Sequence, residues 1–184
     1  KSDTVTLAHG GGGKAMRDLI DDVFVAAFDT PQMGEMEDQA RLTVPADLAG
    51  GRTAFTTDGF VVDPLFFPGG NIGDLAVNGT VNDLAVGGVR PLWLRCAMII
   101  EEGVAVETLR TIAGSMRAAA DRAGVAIVTG DTKVVGRGMA DKVFVTTSGI
   151  GVIPEGRELS ARRVRPGDVA LVNGFLGDHG AAIL

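Results

Sequence analysis

Apolar residues recur at helical spacing in three stretches of this 184-residue chain. The predicted helices cover residues 14–28, 71–88 and 106–124. In the first stretch the apolar positions lie three or four residues apart, which places them on one face of a helix. The other two stretches run into glycine, at Gly87 and Gly124, and glycine is common just past a helix end.

Short apolar or alternating runs beside these helices predict β-strands. They cover residues 4–8, 52–58, 91–100, 125–131 and 141–153. The polar, irregular residues 29–45 predict a surface loop. Because the strands alternate with two long helices, the pattern indicates an α/β or α+β domain.

The pattern changes after Pro154. Residues 155–168 are polar and basic in their middle, residues 169–174 predict a new strand, and a "GDHG" turn follows at 177–180. We therefore expect a first domain over residues 1–154 and the start of a second over 155–184. The last helical pattern reaches Leu184 without a cap, so we expect the sequence to be the front of a longer protein.

Composition narrows the classes of function. A hydrophobic content of 46% supports a globular core, and a net charge of -6 argues against nucleic acid as the main partner. The single cysteine, Cys96, lies in an apolar run, which indicates a buried core residue and fits a reducing cytoplasm. No apolar stretch reaches the roughly 18 to 20 residues of a membrane span.

Four consecutive glycines, Gly10, Gly11, Gly12 and Gly13, precede Lys14 and the first helix. Ala15 stands where a P-loop needs the hydroxyl of serine or threonine, so a P-loop is not indicated. The glycine amides and Lys14 could contact a polyphosphate. A plain flexible connection is an equally good interpretation, and His9 is interpreted as a hydrogen-bonding residue of the loop.

Three aspartates end predicted elements beside small residues: Asp58, Asp83 and Asp131. Magnesium prefers oxygen ligands, and carboxylates on rigid elements can share it with nucleotide phosphates. Each aspartate alone is more typical of an ordinary turn or cap than of a ligand. Asp83 lies near the negative end of a helix dipole, which a bound cation would offset. Together with the glycines, the three favour a nucleotide and metal site.

Further polar residues are candidates for ligand contact. Asp74, Asn78 and Asn82 form a stripe on one face of the second helix, which could reach a ligand or face solvent. Lys133 follows Asp131 by two residues, so their side chains share a face if the segment is extended. Lys133 could then hold phosphate or move a proton, or form an ordinary surface ion pair.

Three segments together carry a family resemblance: "LAHGGGGKAMRDLI", "TTDGFVVDPLFFPGGNIGDLAVNGTVNDLAVGGVRPLWL" and "TGDTKVV". They resemble the HypE family of hydrogenase maturation proteins, in the superfamily of PurM, the aminoimidazole ribonucleotide synthetase. The resemblance implies a PurM-like N-terminal domain, a mixed sheet with helices on one side. It also implies a homodimer closed by an intersubunit β-barrel, with ATP and Mg²⁺ near the interface.

The resemblance also implies roles for individual residues. Asp58, Asp83 and Asp131 would lie on the metal or phosphate side, with Asn78 among the nucleotide contacts. Gly10 to Gly13 and Lys14 would fold over the phosphates. Lys133 and Asp131 would act in catalysis, near the reacting group.

Proteins of this family act on a cysteine at their own C-terminus. HypF places a carbamoyl group on it, and ATP activates the carboxamide oxygen. Loss of that oxygen leaves a thiocyanate, whose nitrile passes to iron held by HypC and HypD. The present sequence lacks a terminal cysteine, so we expect it not to complete this reaction as it stands.

Two other functions stay open at this point. One is a kinase or synthetase of the same superfamily that acts on a small metabolite. The other is a dimeric assembly module without enzymatic activity, in which the glycines serve only as a hinge. Residues 91–100 and 125–131 are too apolar for bare edge strands, so we expect a partner to cover them.

Overall fold

A computed structural model of the chain describes residues 2–35, 39–172, 174–178 and 181. The helices are α1 (Lys14–Leu19), a π segment (Ile20–Val25), α2 (Ala26–Phe28), α3 (Pro31–Glu35), α4 (Ile72–Val86) and α5 (Val106–Ala123). Short 3-10 helices cover Leu7–Gly10, Ala46–Leu48 and Ala161–Arg163. The strands are β1 (Arg52–Phe60), β2 (Phe66–Phe67), β3 (Gly70–Asn71), β4 (Arg90–Glu101), β5 (Ala126–Val135) and β6 (Val143–Ile153).

Four long strands form one sheet in the order β1-β6-β4-β5. β4 and β5 are parallel and joined through α5, whereas β6 pairs antiparallel with both β1 and β4. β2 and β3 form a separate two-stranded ribbon. The sheet is therefore mixed, as predicted.

The helices pack on one face of the sheet. Every second residue of β4 is buried beneath them, from Leu94 through Cys96 and Met98 to Ile100. α5 contributes an apolar stripe that includes Leu109, Ile112 and Met116. This alternation of buried and partly exposed positions explains why one face forms the core and the other remains uncovered in a single chain.

The strand predicted over residues 4–8 is wrong. Thr4 makes a single bridge to Ala105, and the chain then turns into the 3-10 helix Leu7–Gly10. The backbone of Val5 is nevertheless paired, because it exchanges hydrogen bonds with the turn that follows β4: Val5 N to Val104 O, 2.7 Å, and Gly103 N to Val5 O, 2.8 Å. Val5 is apolar and buried, and next to it only Thr4 forms a β-bridge. The sequence pattern therefore looks like a strand although no strand forms.

Two predicted strand ends were too early. β1 continues through Asp58 and Gly59, because Gly59 stays in register with Thr146 of β6. β5 continues through Lys133 to Val135 in register with β4. In both β1 and β5 a turn-forming residue is held in extended conformation by its pairing with a neighbouring strand.

The predicted loop 29–45 differs from the structure near its start. It contains the short helix α3, and Pro45 at its end precedes a 3-10 helix.

The segment after Pro154 differs from the prediction as well. Residues 169–172 and 174, predicted as strand, are exposed and form none. Residues 179–180 of the "GDHG" turn and residues 182–184 of the predicted helix start lie outside the described residues.

β4 is an inner strand, paired on both sides within the chain. The premise that residues 91–100 form a bare edge strand is therefore wrong, whereas their cover by a partner stays a prediction for the uncovered face of the sheet. β5, by contrast, does lie at an edge of the sheet.

None of the helices in the described part of the chain combines the length and apolar character required to cross a membrane.

We expect Gly73→Ala to destabilise the protein, because α4 and α5 touch at this glycine. A Cβ at Gly73 would lie 2.5 Å from the carbonyl oxygen of Ile112, a backbone atom that cannot turn aside. The expected cost is about 1–3 kcal/mol of unfolding free energy. Gly114→Ala is the matched control: the space around Gly114 in α5 is open, and alanine there should stabilise by about 0.5–1 kcal/mol. Chemical denaturation measures both, and equal effects would contradict the contact.

Candidate functional site

The glycine loop, Gly10 to Gly13, lies against strand β5. A Cβ on Gly10 would come within 2.9 Å of the Val134 Cβ, so glycine permits this close packing. Gly12 has a φ of +74°, in the region that favours glycine, and a Cβ at Gly12 or Gly13 would meet nothing within 4 Å. The loop is thus packed at its start and open at Gly12 and Gly13.

Asp131 and Lys133 lie beside the start of this loop on β5. Their side chains share a face of the strand, as predicted, and Lys133 Nζ lies 3.0 Å from Asp131 Oδ1. The hydrogen bond from Lys133 is the largest cause that lowers the pKa of Asp131, and Arg95 contributes through its charge. Asp131 is therefore held as an anion beside a cation.

Lys14 does not point toward this pair. Its ammonium group lies 2.6 Å from Asp18 one turn along α1, and its side chain is 85% exposed. The glycine loop connects Lys14 to the β5 edge of the sheet. The Lys14 ammonium group, however, pairs with a carboxylate of its own helix.

Asp58 and Asp83 form a second group, at the β1 edge. Asp58 lies on the side of β1 that faces α4, where a Cβ on Gly79 would be 3.9 Å from Asp58 Oδ2. Asp83, one helical turn after Gly79, accepts a hydrogen bond from the Thr56 hydroxyl at 3.4 Å. The two carboxylates thus lie on neighbouring parts of the β1–α4 contact, Asp58 beside Gly79 and Asp83 beside Thr56. Both residues are exposed.

A buried hydroxyl network holds α4 against the sheet beneath this group. Thr147 of β6 donates to the Ala76 carbonyl at 2.9 Å, and Thr80 lies 2.5 Å from the Thr147 hydroxyl. Because the Thr147 hydroxyl donates its hydrogen to the Ala76 carbonyl, the Thr80 hydroxyl must be the donor to the Thr147 oxygen. Thr147 is also the register partner of Asp58, so this network sets the position of α4 relative to Asp58.

The predicted polar stripe on α4 divides into two parts. Asp74 caps its own helix by accepting from the Asn71 amide at 3.2 Å, and it lies 3.5 Å from Arg122. Asn78 and Asn82 are exposed. Asp74 therefore has a structural role, while Asn78 remains on the surface near Gly79 and the β1 edge.

The predicted metal site of Asp58, Asp83 and Asp131 does not form within one chain. β1 and β5 are opposite edges of the sheet, three strand spacings or about 14 Å apart. Asp58 faces α4, whereas Asp131 shares the uncovered face with its register partner Ala97. Among the described residues, no three acidic, histidine or cysteine side chains are grouped to hold a metal ion. Sequence spacing could not reveal this separation, because it depends on strand order.

The uncovered face of the sheet carries an apolar row across three strands. Phe55 of β1, Ile150 of β6 and Trp93 of β4 are in register, and Phe55 is 66% exposed. Ile99 and Phe144 form a second apolar pair on the same face. Such a face is typical of a surface that another protein covers.

A cavity of about 160 Å³ lies between the first helical segment and the β5 edge. Met16 and Phe24 form one wall, Cys96 and Met98 the floor, and Asp131 lies at its margin. Burial raises the pKa of the Cys96 thiol to about 12, so Cys96 stays a neutral core residue, as predicted. Helical spacing predicted Met16 and Phe24 only as apolar positions of the first helix. Ile20 and Phe24 belong to the π segment and line this cavity, and π turns often accompany functional sites. The spacing pattern does not distinguish a π segment from a regular α-helix.

Comparison with known proteins identifies the family of the chain. Residues 36–153 match the family model "AIR synthase related protein, N-terminal domain". A curated relative, carbamoyl dehydratase HypE of Rhodobacter capsulatus, is 67% identical over 186 residues, covering 100% of this chain and 54% of the relative. The chain therefore spans about half the length of the curated relatives it matches.

Two solved structures are also similar. A hydrogenase maturation protein HypE in complex with ATP has a TM-score of 0.92 and 49% identity, over 98% of this chain and 52% of that one. A HypE–HypF complex has a TM-score of 0.70 and 52% identity, over 90% of this chain and 52% of that one. The sheet with helices on one face and the matched sequence lead to the same conclusion: the chain belongs to the family of AIR synthase related proteins, within which it resembles HypE.

Proposed function

We propose that this chain is the N-terminal part of an ATP-dependent carbamoyl dehydratase that acts as a cytoplasmic homodimer. Its ATP site is composite: the β1 edge group of one protomer, Asp58 and Asp83, meets the β5 edge group of its partner, Asp131 and Lys133. The boundary to the second domain lies after Pro154. The ATP-bound HypE relative supports the nucleotide.

One observation carries the composite site. Asp58 and Asp131 lie at opposite edges and on opposite faces of one sheet, so a single chain cannot bring them to one phosphate group. A second copy placed against the uncovered face would bury Phe55, Ile150 and Trp93. If its sheet runs on from the first to close a barrel, its β5 edge meets the β1 edge of the first copy, which removes the separation across the sheet. A polyphosphate bound at this junction would contact Asp58 from the outer face and Asp131 of the second copy from the inner face.

The residues at the β1 edge fit a magnesium ion. Asp58 and Asp83 are exposed carboxylates on rigid elements, and the neighbouring Thr56 hydroxyl adds another oxygen. Magnesium prefers oxygen ligands and keeps several sites for water and phosphate, so two carboxylates suffice. When bound, the ion would neutralise charge on the transferring phosphoryl group.

Lys133, Asn78 and the glycine loop complete the proposed site. The Lys133 ammonium binds the γ-phosphate and supports its transfer to the carboxamide oxygen, while Asp131 holds the lysine in place at 3.0 Å. Gly12 and Gly13 offer amides to the phosphates from the open part of the loop, and Lys14 turns from Asp18 toward them. Asn78 contacts the nucleotide from α4.

The partners follow from the same reaction. We propose that HypF supplies the carbamoyl group, which the HypE–HypF complex supports for a relative. The nitrile product then passes to iron held by HypC and HypD. All of these steps use the C-terminal cysteine of the full-length protein.

The proposal is tested with full-length protein whose C-terminal cysteine carries a carboxamide. With ATP and Mg²⁺, we expect the protein to lose one water, detected by intact mass spectrometry, as thiocyanate forms. Asp83→Asn should slow this loss by about 100-fold. Asp121→Asn, an exposed change on α5, is the control and should leave the rate unchanged. If ATP gives no loss of water from the unsubstituted protein, the function is wrong.

A further inference from the structure

His9 is buried immediately before the packed start of the glycine loop, and the proposed function does not use it. The Thr6 amide donates to its Nδ1 at 3.0 Å, while the His9 amide donates back to the Thr6 carbonyl at 3.0 Å. The Thr6 hydroxyl lies 3.0 Å from the same ring nitrogen. The Thr6 carbonyl oxygen also lies near Nδ1, at the longer distance of 3.3 Å. Because the backbone amide can only donate and is the closer of the two at 3.0 Å, Nδ1 carries no proton and we assign the proton to Nε2.

The residues before this pair are already fixed. Asp3 and Val5 are hydrogen-bonded to the turn after β4, through Val106 N to Asp3 O at 2.9 Å and Val5 N to Val104 O at 2.7 Å. The Thr6–His9 pair then closes the single 3-10 turn from which the loop leaves. Without an acceptor at Nδ1, the Thr6 amide would lose its partner, and the turn would lose one of its two reciprocal bonds.

The residue after His9 is fixed from the other side. Gly10 packs so closely on Val134 that a Cβ would be 2.9 Å from that side chain, whereas a Cβ at Gly12 or Gly13 meets open space. Val134 is the neighbour of Lys133 on β5. The turn at His9 therefore decides where the loop begins relative to Lys133, and the freedom of the loop lies beyond Gly10.

We propose that His9 is a positioning residue for the nucleotide site: its Nδ1, by accepting the Thr6 amide, sets the start of the glycine loop beside Lys133. This inference rests on the proposed function for the identity of the ligand. It predicts that His9 does not touch ATP. Its effect on ATP comes from the ordering of Gly11 to Gly13, so its loss raises KM for ATP and leaves kcat nearly unchanged.

Two substitutions separate this role from direct contact. Asparagine places its Oδ1 near the position of Nδ1, whereas glutamine places its Oε1 near that of Nε2. In the full-length protein we expect His9→Asn to keep KM for ATP within about 3-fold. His9→Gln should raise KM about 10-fold, the effect of about one hydrogen bond. Hydrogen exchange of residues 2–13, measured without nucleotide, should be faster in His9→Gln and unchanged in His9→Asn.

Each outcome decides between the alternatives. If glutamine preserves KM and asparagine does not, His9 acts through Nε2 and the inference is overturned. Equal behaviour of both variants, in exchange and in KM, also overturns it. Failure of the unsubstituted protein to bind ATP would refute the proposed function instead. The exchange comparison needs no ligand and still decides whether Nδ1 holds the turn. Thermal unfolding of both variants confirms that they are folded.

Discussion

Full-length Asp83→Asn and Asp131→Asn proteins, each almost inactive alone, are expected to recover activity when they assemble together. In the mixed dimer one composite site carries both substitutions and the other carries none. Random pairing makes half of the dimers mixed, so total activity should reach about a quarter of the unsubstituted value. Each homodimer should retain about 1% or less.

The matched control is a mixture of Asp58→Asn with Asp83→Asn. Both residues belong to the β1 edge group, so every site of the mixed dimer is damaged and no recovery is expected. Co-expression with two affinity tags and purification over both isolates the mixed dimers for assay. If Asp83→Asn and Asp131→Asn fail to complement while the mixed dimer forms, each site lies within one chain and the composite arrangement is wrong.

Lys133→Met is expected to lower kcat by about 100-fold or more and to move the acidic limb of the pH–rate profile to higher pH. The Lys133 hydrogen bond is the main cause that lowers the pKa of Asp131. Without it the pKa of Asp131 rises toward its ordinary value. The stabilisation that the pair provides is present at neutral pH and is lost as the pH falls through the pKa of Asp131, so in the variant this carboxylate is neutralised at a higher pH.

Carboxyl chemical shifts of Asp131, followed during an acid titration by NMR, measure this change directly. Lys14→Met is the comparison, because Lys14 pairs with Asp18 and should leave the titration of Asp131 unaltered. An unchanged Asp131 titration in Lys133→Met would show that the pair at 3.0 Å does not persist in solution.

The positions of the helices and central strands followed from sequence periodicity. α4 and α5 begin and end within two residues of their predicted limits, because glycine stops and apolar spacing act locally. β4 was also recognised, because its apolar residues supply both the buried face and the uncovered apolar face of the sheet. The edge strands β1 and β5 were cut short, because Gly59 and Asp131 look like turn residues until a neighbouring strand pairs with them.

The candidate site divides in the same way. The sequence by itself determined which side chains could carry the chemistry, and it determined the Asp131–Lys133 pair, whose contact depends only on the two-residue period of a strand. Only the tertiary structure decided that Asp58 and Asp83 lie together and that Asp131 lies across the sheet from them. The reason is physical: strand order is a property of pairings between distant residues, and a local pattern holds no information about which edge a strand will occupy.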